Sequence, residues 1–491
     1  MESQLPALQI VIPLLAAPLC VLLRRRTPVT VLAGGVCWVS LAVSLLLLAR
    51  VLDVGVLTYA LGGWAAPWGI EYRIDALSAF MLVLISTIGV AAISFAPRSM
   101  AAEIPADRQH LFISAYLLAL TGLLGIVITG DLFNVFVFLE ISALSSYAMI
   151  SLGRDRRALT AALRYLIMGT IGATFILIGI GLMYIMTGTL NMADMAERLR
   201  PVIETRTVLA AFGFLTVGIG IKAAVFPLHL WLPDAYTHAP SVVSAFLAAT
   251  ATKVGIYLML RFVFTVYGVE FFFGMPLASV LLIMAVAGAL VGSTVAIFQR
   301  DVKRLLAYSS IAQIGYMVLG ISLGSVEGLT GSIVHMFNHA LTKGALFLAV
   351  GCVVLRTGSS SLADMRGLGR QMPVTAFAFV LGGLGLIGVP LTAGFISKWY
   401  LIEAALRTGK WPVAALLLLS SILALIYVWR IVETAYFRPS PAGRAALREA
   451  PLSMLAPLVL LVGASIWFGV NSSWSAGWAR RAAEALLGGA P

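Results

Sequence analysis

The sequence predicts an all-α polytopic membrane protein of about fourteen transmembrane helices, and three observations carry that prediction. Hydrophobic residues make up 60% of the 491 residues and charged residues 11%, with a mean hydropathy of +1.00. Apolar runs of about twenty residues, the length needed to cross a hydrocarbon core about 30 Å thick, recur along the whole chain. Basic residues gather in short clusters between those runs. A water-soluble domain carries roughly 25% charged residues, so the charge here is too sparse to cover a globule of 52.2 kDa.

The net charge of +12 follows from the clusters between spans and reports topology rather than nucleic-acid binding. Cys20, Cys37 and Cys352 lie apart within apolar runs, with no disulfide or metal spacing. The histidines and lysines share no face with a carboxylate in a ligand-like set, so no metal is expected. No Rossmann, Walker or flavin motif occurs, and no cofactor is expected either.

The first apolar run, Leu5–Leu23, has no basic segment before it and ends at Arg24-Arg25-Arg26. A cleavable signal peptide has the reverse order, so this run reads as the first span. The remaining predicted spans are Val29–Leu52, Ala76–Ala96, Leu111–Thr129, Leu132–Leu152, Ala162–Met186, Thr207–Leu228, Ser241–Val266, Met275–Phe298, Arg304–Leu323, Leu329–Leu355, Val374–Ala404, Pro412–Phe437 and Leu452–Val470. Each must satisfy its own backbone hydrogen bonds in lipid, which makes it a helix.

Arg24–Arg26, Arg154/Arg156/Arg157, Arg300/Lys303/Arg304, Arg356/Arg366/Arg370 and Arg438/Arg444/Arg448 all fall on odd-numbered connections. The positive-inside rule makes those connections cytoplasmic and both termini external. A weak internal repeat accompanies the alternation. Asp131 and Asp301 open two spans after short connections, and Lys222–Pro227 is echoed by Pro390–Lys398, at an offset of about 170–176 residues. Five helices per repeat force the second copy to be inverted, a transporter architecture that uses interrupted helices. The expected organisation is residues 1–110 as helices 1–3, 111–266 and 267–437 as two inverted five-helix repeats, and 438–491 as helix 14 with its tail.

Charges within spans cost roughly 2.5–3.5 kcal/mol each on insertion scales and therefore mark function. Glu140 lies in the fifth span, Lys222 in the seventh, Lys253 in the eighth and Lys398 in the twelfth. His335, His339 and Lys343 follow one another at intervals of four in the eleventh, on adjoining turns of one face. Pro227 and Pro390 mark helix breaks whose freed carbonyls need water or side chains. Burial disfavours a charged lysine and a nearby carboxylate favours it, so a lysine between those influences exchanges a proton readily. Histidine does so unaided near physiological pH. The expected chemistry is a proton relay through Glu140, Lys222, Lys253, His335, His339, Lys343 and Lys398. Structural alternatives are a Glu140–Lys222 anchor, a lysine reaching the interface, and histidines gluing helices together. Two further expectations are that LHLWLPDAYTHAP forms a polar turn, with His238 at a mouth, and that Arg430 and Glu433 pair along their helix.

The segments GDLFNVFVFLEISALSSYAMI, KAAVFPLHLWLPDAYTHAPSVVSAFLAATATKVGIY, RDVKRLLAYSSIAQIGYM and HMFNHALTKGALF resemble the antiporter-like subunits. These occur in respiratory complex I, membrane-bound hydrogenases and Mrp-type cation/proton antiporters. The length and the lack of a large C-terminal extension are most similar to the D-type component of Mrp antiporters. The resemblance implies fourteen helices with two inverted repeats, and a Glu140–Lys222 pair across the fifth and broken seventh helices. It places Lys253, the His335/His339/Lys343 cluster and Lys398 at the family's relay positions. Some complex I members carry glutamate at the position of Lys398. The implied function is proton movement within a larger complex in a prokaryotic plasma membrane, with other subunits, the lipid bilayer, protons and sodium as partners. The implied alternative is the proton-pumping arm of a redox enzyme.

Overall fold

A computed structural model of the protein describes residues 4–440 and 446–488. Helices α1 (Leu5–Leu23) and α2 (Arg26–Val54) lead into an antiparallel hairpin, β1 (Leu57–Ala60) against β2 (Glu71–Ile74), with Leu57 opposite Ile74. Then come α3 (Ala76–Glu103), α4 (Gln109–Ile128), α5 (Leu132–Ser151), α6 (Arg157–Thr187) and the short α7 (Met192–Leu199). Next are α8 (Arg206–Ala223), α9 (Trp231–His238), α10 (Ser241–Ala249), α11 (Ala251–Leu260), α12 (Val269–Gly274), α13 (Leu277–Ile297), α14 (Val302–Leu323) and α15 (Val326–Thr357). The chain finishes with α16 (Leu368–Gln371), α17 (Pro373–Ile387), α18 (Ala393–Arg407), α19 (Trp411–Tyr436), α20 (Leu452–Val470) and α21 (Ser473–Leu486).

Among the described residues, 13 helices are long and apolar enough to cross a membrane. The predicted twelfth span, Val374–Ala404, is divided into α17 and α18 and supplies the remaining crossing. Asp75, Asp131 and Asp301 start α3, α5 and α14 by accepting hydrogen bonds from the amides of Ser78, Asn134 and Arg304 at 2.9, 2.7 and 3.0 Å. A carboxylate at this position satisfies an amide that the helix itself leaves unpaired.

Lipid gives apolar helices no hydrophobic reason to associate, so close approach at small residues does that work. α13 and α14 show it: a Cβ on Gly315 would stand 2.5 Å from the Ala285 carbonyl, and one on Gly292 would stand 2.7 Å from the Ala312 amide. Either substitution forces the two backbones apart.

The inverted repeat is written into the connections. Asp131 bridges to Asn191, and Asp301 bridges to Ser361, each partner 170 residues further on in the second copy. The amide of Leu132 donates to Leu190 O and that of Met192 to Gly130 O. In the second copy, Val302 donates to Ser360 O and Leu362 to Arg300 O, with all four bonds between 2.8 and 2.9 Å. Gly188 and Gly358 end α6 and α15 at φ 71° and 72°, a conformation that costs glycine nothing. The two clamps lie on opposite faces. Connections after the second, fourth and sixth spans meet at one face through Tyr72, Thr129, Asp131 and Asn191. Those after the third, fifth, seventh, ninth and eleventh surround a single cavity at the other.

Several expectations are corrected. LHLWLPDAYTHAP is not a polar turn: α9 is a helix whose Trp231, Leu232 and Tyr236 are buried. Trp231 Nε1 donates to Ile221 O at 2.8 Å and its ring stacks on Tyr165 at 4.0 Å, which holds α9 inside the bundle. The eighth span is present as Ser241–Tyr267, with an interruption that the sequence does not announce: Thr250 (φ −122°, ψ −59°) separates α10 from α11. The Thr250 hydroxyl donates to Phe246 O at 2.7 Å, and such back-bonding bends helices without help from proline. Arg430 and Glu433 do not pair with each other; Arg430 donates to Gln299 O, and Glu433 holds Arg438 at 3.0 Å. Arg444 of the last basic cluster lies outside the described residues.

Candidate functional site

Both predicted breaks are real. After α8, Ala224 adopts φ 56° ahead of Pro227; between α17 and α18, Leu391 adopts φ 73° beside Pro390. Left-handed backbone at a residue with a β-carbon is strained and persists only where its surroundings enforce it.

Lys222 occupies the last turn of α8, where the unpaired carbonyls of a helix end favour a cation. Its Nζ lies 3.6 Å from Oε1 of Glu140 on α5. Beside Lys222 is a cavity of about 40 Å³ lined also by Ser142, Ser146 and Tyr165. One water needs roughly 10–15 Å³ on this measure, so a short water file fits. Glu140 is the least enclosed member of the set, with 26% of its side chain exposed.

Lys253 is fully buried on α11, three residues past the Thr250 break. Its ammonium donates to Ala248 O and lies 3.4 Å from Thr252 Oγ1. The break turns the end of α10 into a ligand for the lysine.

On α15, His335, His339 and Lys343 are all buried. The two imidazoles are parallel within 4°, with ring centres 5.9 Å apart. His335 Nδ1 is 2.8 Å from Ser397 Oγ of α18. Neither nitrogen of His339 has a hydrogen-bond partner among the described residues. Lys343 turns towards α14, donating to Leu306 O at 2.6 Å and to Ser309 Oγ.

Lys398 on α18 reaches back across the break. Its Nζ donates to Leu386 O and Ile387 O at the end of α17 and to Ser421 Oγ, each at 2.9 Å. It also sits 4.8 Å over the ring of Tyr316, whose edge meets His335. Three links join members of the set: Glu140 pairs with Lys222, His335 stacks on His339, and Lys398 and His335 meet the same Tyr316 ring. Lys253 and Lys343 are each held by a backbone carbonyl and lie near a hydroxyl.

Sequence reasoning missed the floor of the cavity lined by the odd-numbered connections. That cavity, about 740 Å³, is lined by Glu103, Asp155, His238, Lys303 and Arg304 among others. Lys303 is buried 3.7 Å from Glu103 and donates to Ala239 O at 2.9 Å. Glu103 also accepts from the amide and hydroxyl of Ser241 at 3.0 and 2.9 Å, capping α10. Reading Lys303 as one of three topology charges hid its place on the inward face of α14. His238 stands at this mouth, 3.6 Å from Asp155. Burial opposes ionisation of Asp155, but the amide and guanidinium of Arg157 outweigh it and hold the carboxyl below its usual range. A second feature had no proline or glycine to announce it: the Thr250 break beside Lys253.

A many-helix bundle with buried ammoniums at helix breaks defines a class, the ion-translocating membrane subunits. The chain belongs to the family described as NADH:quinone oxidoreductase/Mrp antiporter, transmembrane, which matches residues 129–424. It is 44% identical to the N subunit of NADH-quinone oxidoreductase from Desulforudis audaxviator, over 94% of each chain. It is 30% identical to the D component of the Na(+)/H(+) antiporter of Bacillus subtilis, covering 98% of this chain and 96% of that one. A chain in the Mrp complex of a Dietzia species superposes with a TM-score of 0.91 at 27% identity, covering 99% of this chain and 98% of that one. A chain of an archaeal membrane-bound sulfane sulfur reductase does so with a TM-score of 0.91 at 31% identity and the same coverage.

Proposed function

We propose that this chain is the proton-translocating subunit of a multisubunit monovalent cation/proton antiporter in a prokaryotic plasma membrane. Protons pass along Glu140, Lys222, Lys253, His339, His335 and Lys398, with Lys343 as the branch towards the cytoplasm. The observation that supports this reading is the set itself: four lysines, two histidines and one glutamate inside the bundle, with Lys253 and Lys398 held by carbonyls at helix breaks and Lys222 beside Glu140. Charges this costly are retained where they conduct.

On the cytoplasmic side, Lys303 and Ser309 lie on the same helix, about 9 Å apart along its axis at 1.5 Å per residue. A proton taken up over the Glu103–Lys303 pair reaches Lys343 through Ser309 and a few waters. The partly open Glu140 faces sideways, so a neighbouring subunit that approaches it changes the hold on Lys222. Sodium prefers carboxylates and carbonyls, whereas this row is mostly nitrogen bases, so the cation route belongs to a partner.

The test uses the assembled complex in inverted vesicles. Lys253→Ala abolishes cation-dependent proton flux while the complex still assembles on native gels; retained flux would sink the relay. The 44% identity to a protein named as the N subunit of an NADH-quinone oxidoreductase favours a second reading, the same relay within a redox-driven complex. Redox chemistry would then belong to partners. Flavin or iron–sulfur absorbance in the purified complex selects the second reading, and its absence together with sodium-driven flux selects the first.

A further inference from the structure

Away from the relay, a separate cavity of about 330 Å³ opens on the cytoplasmic side where α19 leaves the bilayer. Arg300, Arg366, Arg430 and Arg438 all line it, and Glu433 is the single acid among the described residues of its lining. Arg438 takes that carboxylate at 3.0 Å, and Arg430 makes only a 3.4 Å bond to the Gln299 carbonyl. Arg300 and Arg366 are exposed and have no carboxylate partner among the described residues. Guanidiniums gathered this way repel one another unless an anion joins them, and their planar forks match phosphate oxygens two at a time.

The surroundings say where the anion comes from. On α19, next to the cavity-lining Arg430, Ile422, Leu425, Ile426 and Trp429 are exposed, and Trp429 and Phe437 have ring centres 5.9 Å apart. Phe298, two residues before Arg300 at the end of α13, is 74% exposed, and α13 packs against α19. Exposed apolar side chains of α13 and α19 thus adjoin the arginines. Basic pockets between helices on the cytoplasmic side suit anionic headgroups. The volume lies at the small end of the roughly 300–1,000 Å³ range of ligand sites.

We propose that the Arg300/Arg366/Arg430/Arg438 cavity holds the phosphate headgroup of an anionic phospholipid of the cytoplasmic leaflet, with its acyl chains over the exposed apolar side chains of α13 and α19. Arg430 and Arg438 are already engaged by protein oxygens and shape the site. Arg300 and Arg366 are free to close on the phosphate.

The test is lipid retention by the whole complex after a delipidating detergent wash, read by native mass spectrometry following exchange with phosphatidylglycerol or phosphatidylcholine vesicles. Wild type retains phosphatidylglycerol over phosphatidylcholine. Arg300→Gln/Arg366→Gln lowers that retention by about tenfold or more, since each lost bond involves a charged group. Arg300→Lys/Arg366→Lys, which keeps charge but not the fork, gives an intermediate loss. Arg24→Gln/Arg25→Gln, on another cytoplasmic connection, changes nothing. Equal retention in wild type and the Gln variant overturns the proposal. So does displacement of the lipid by millimolar inorganic phosphate alone, which assigns the site to a free anion. A cross-link from position 366 to an acidic segment of another subunit likewise overturns it, by making the cavity a protein contact.

Discussion

The two repeats hold their lysines in different ways. In the first, Lys222 stands 3.6 Å from a carboxylate, Glu140, on another helix. In the second, Lys398 has three oxygen ligands, two backbone carbonyls and a serine hydroxyl. The position in the second repeat that corresponds to Glu140 is Ser310, whose hydroxyl merely donates to Leu306 O of its own helix. Carbonyl dipoles at the end of α17 are fixed by the fold, whereas a side-chain carboxylate at the rim can approach or withdraw. The first repeat is therefore the adjustable site, and the second is a fixed holding point. At this corresponding position the two copies differ by an acid in the first and a hydroxyl in the second.

That contrast sets the order of expected effects. Lys253 is held only by the Ala248 carbonyl and the Thr252 hydroxyl, with no carboxylate partner among the described residues; on the proposed relay, Lys253→Ala lowers proton flux in vesicles by well over about tenfold, the upper end for losing a proton-transfer group being 10²–10⁴. Glu140→Gln keeps the shape but removes the adjustable charge. Flux falls by about tenfold, and Glu140→Asp restores much of it, in line with a charge-assisted interaction of about 1.5–3 kcal/mol. If Glu140→Gln is silent, the two repeats do not differ in the way described. Ser421→Ala removes one of three ligands from Lys398 and costs about two- to tenfold, because a typical hydrogen bond contributes roughly 0.5–1.5 kcal/mol. An effect as large as that of Glu140→Gln would mean the second site is not buffered by its carbonyls. The smallest change belongs to the mouth: Asp155→Asn slows uptake by less than about threefold, as befits an exposed ion pair. Its sign with pH is fixed by the depressed carboxyl. Wild type and variant differ fully above the ordinary carboxylate range, and they converge only as acid protonates Asp155 below it.

Much of this is legible in the sequence because charge in hydrocarbon is conspicuous. Glu140, Lys222, Lys253, His335, His339, Lys343 and Lys398 stand out of apolar runs, and Pro227 and Pro390 mark two of the breaks. Less visible is anything made by backbone. The carbonyls that hold Lys253 and Lys398 have no letter in the sequence, and the Thr250 break depends on a hydroxyl that is commonplace in helices. The proline, aspartate and histidine of α9 suggest a turn, whereas Trp231 decides the matter by packing on Tyr165. Lys303 and Glu103 read as surface charge, since the end of a span is where surface charge belongs. Nor does the sequence announce α21: Trp474 at its start packs among Phe80 of α3, Phe337 of α15 and Phe468 of α20.

The paired clamps at Asp131–Asn191 and Asp301–Ser361 have a mechanical consequence. Each fastens the start of one helix, α5 or α14, to the chain just past the end of another, α6 or α15. Two long helices are thereby tethered at their ends by backbone bonds, so movement within either repeat has to be taken up at its helix break.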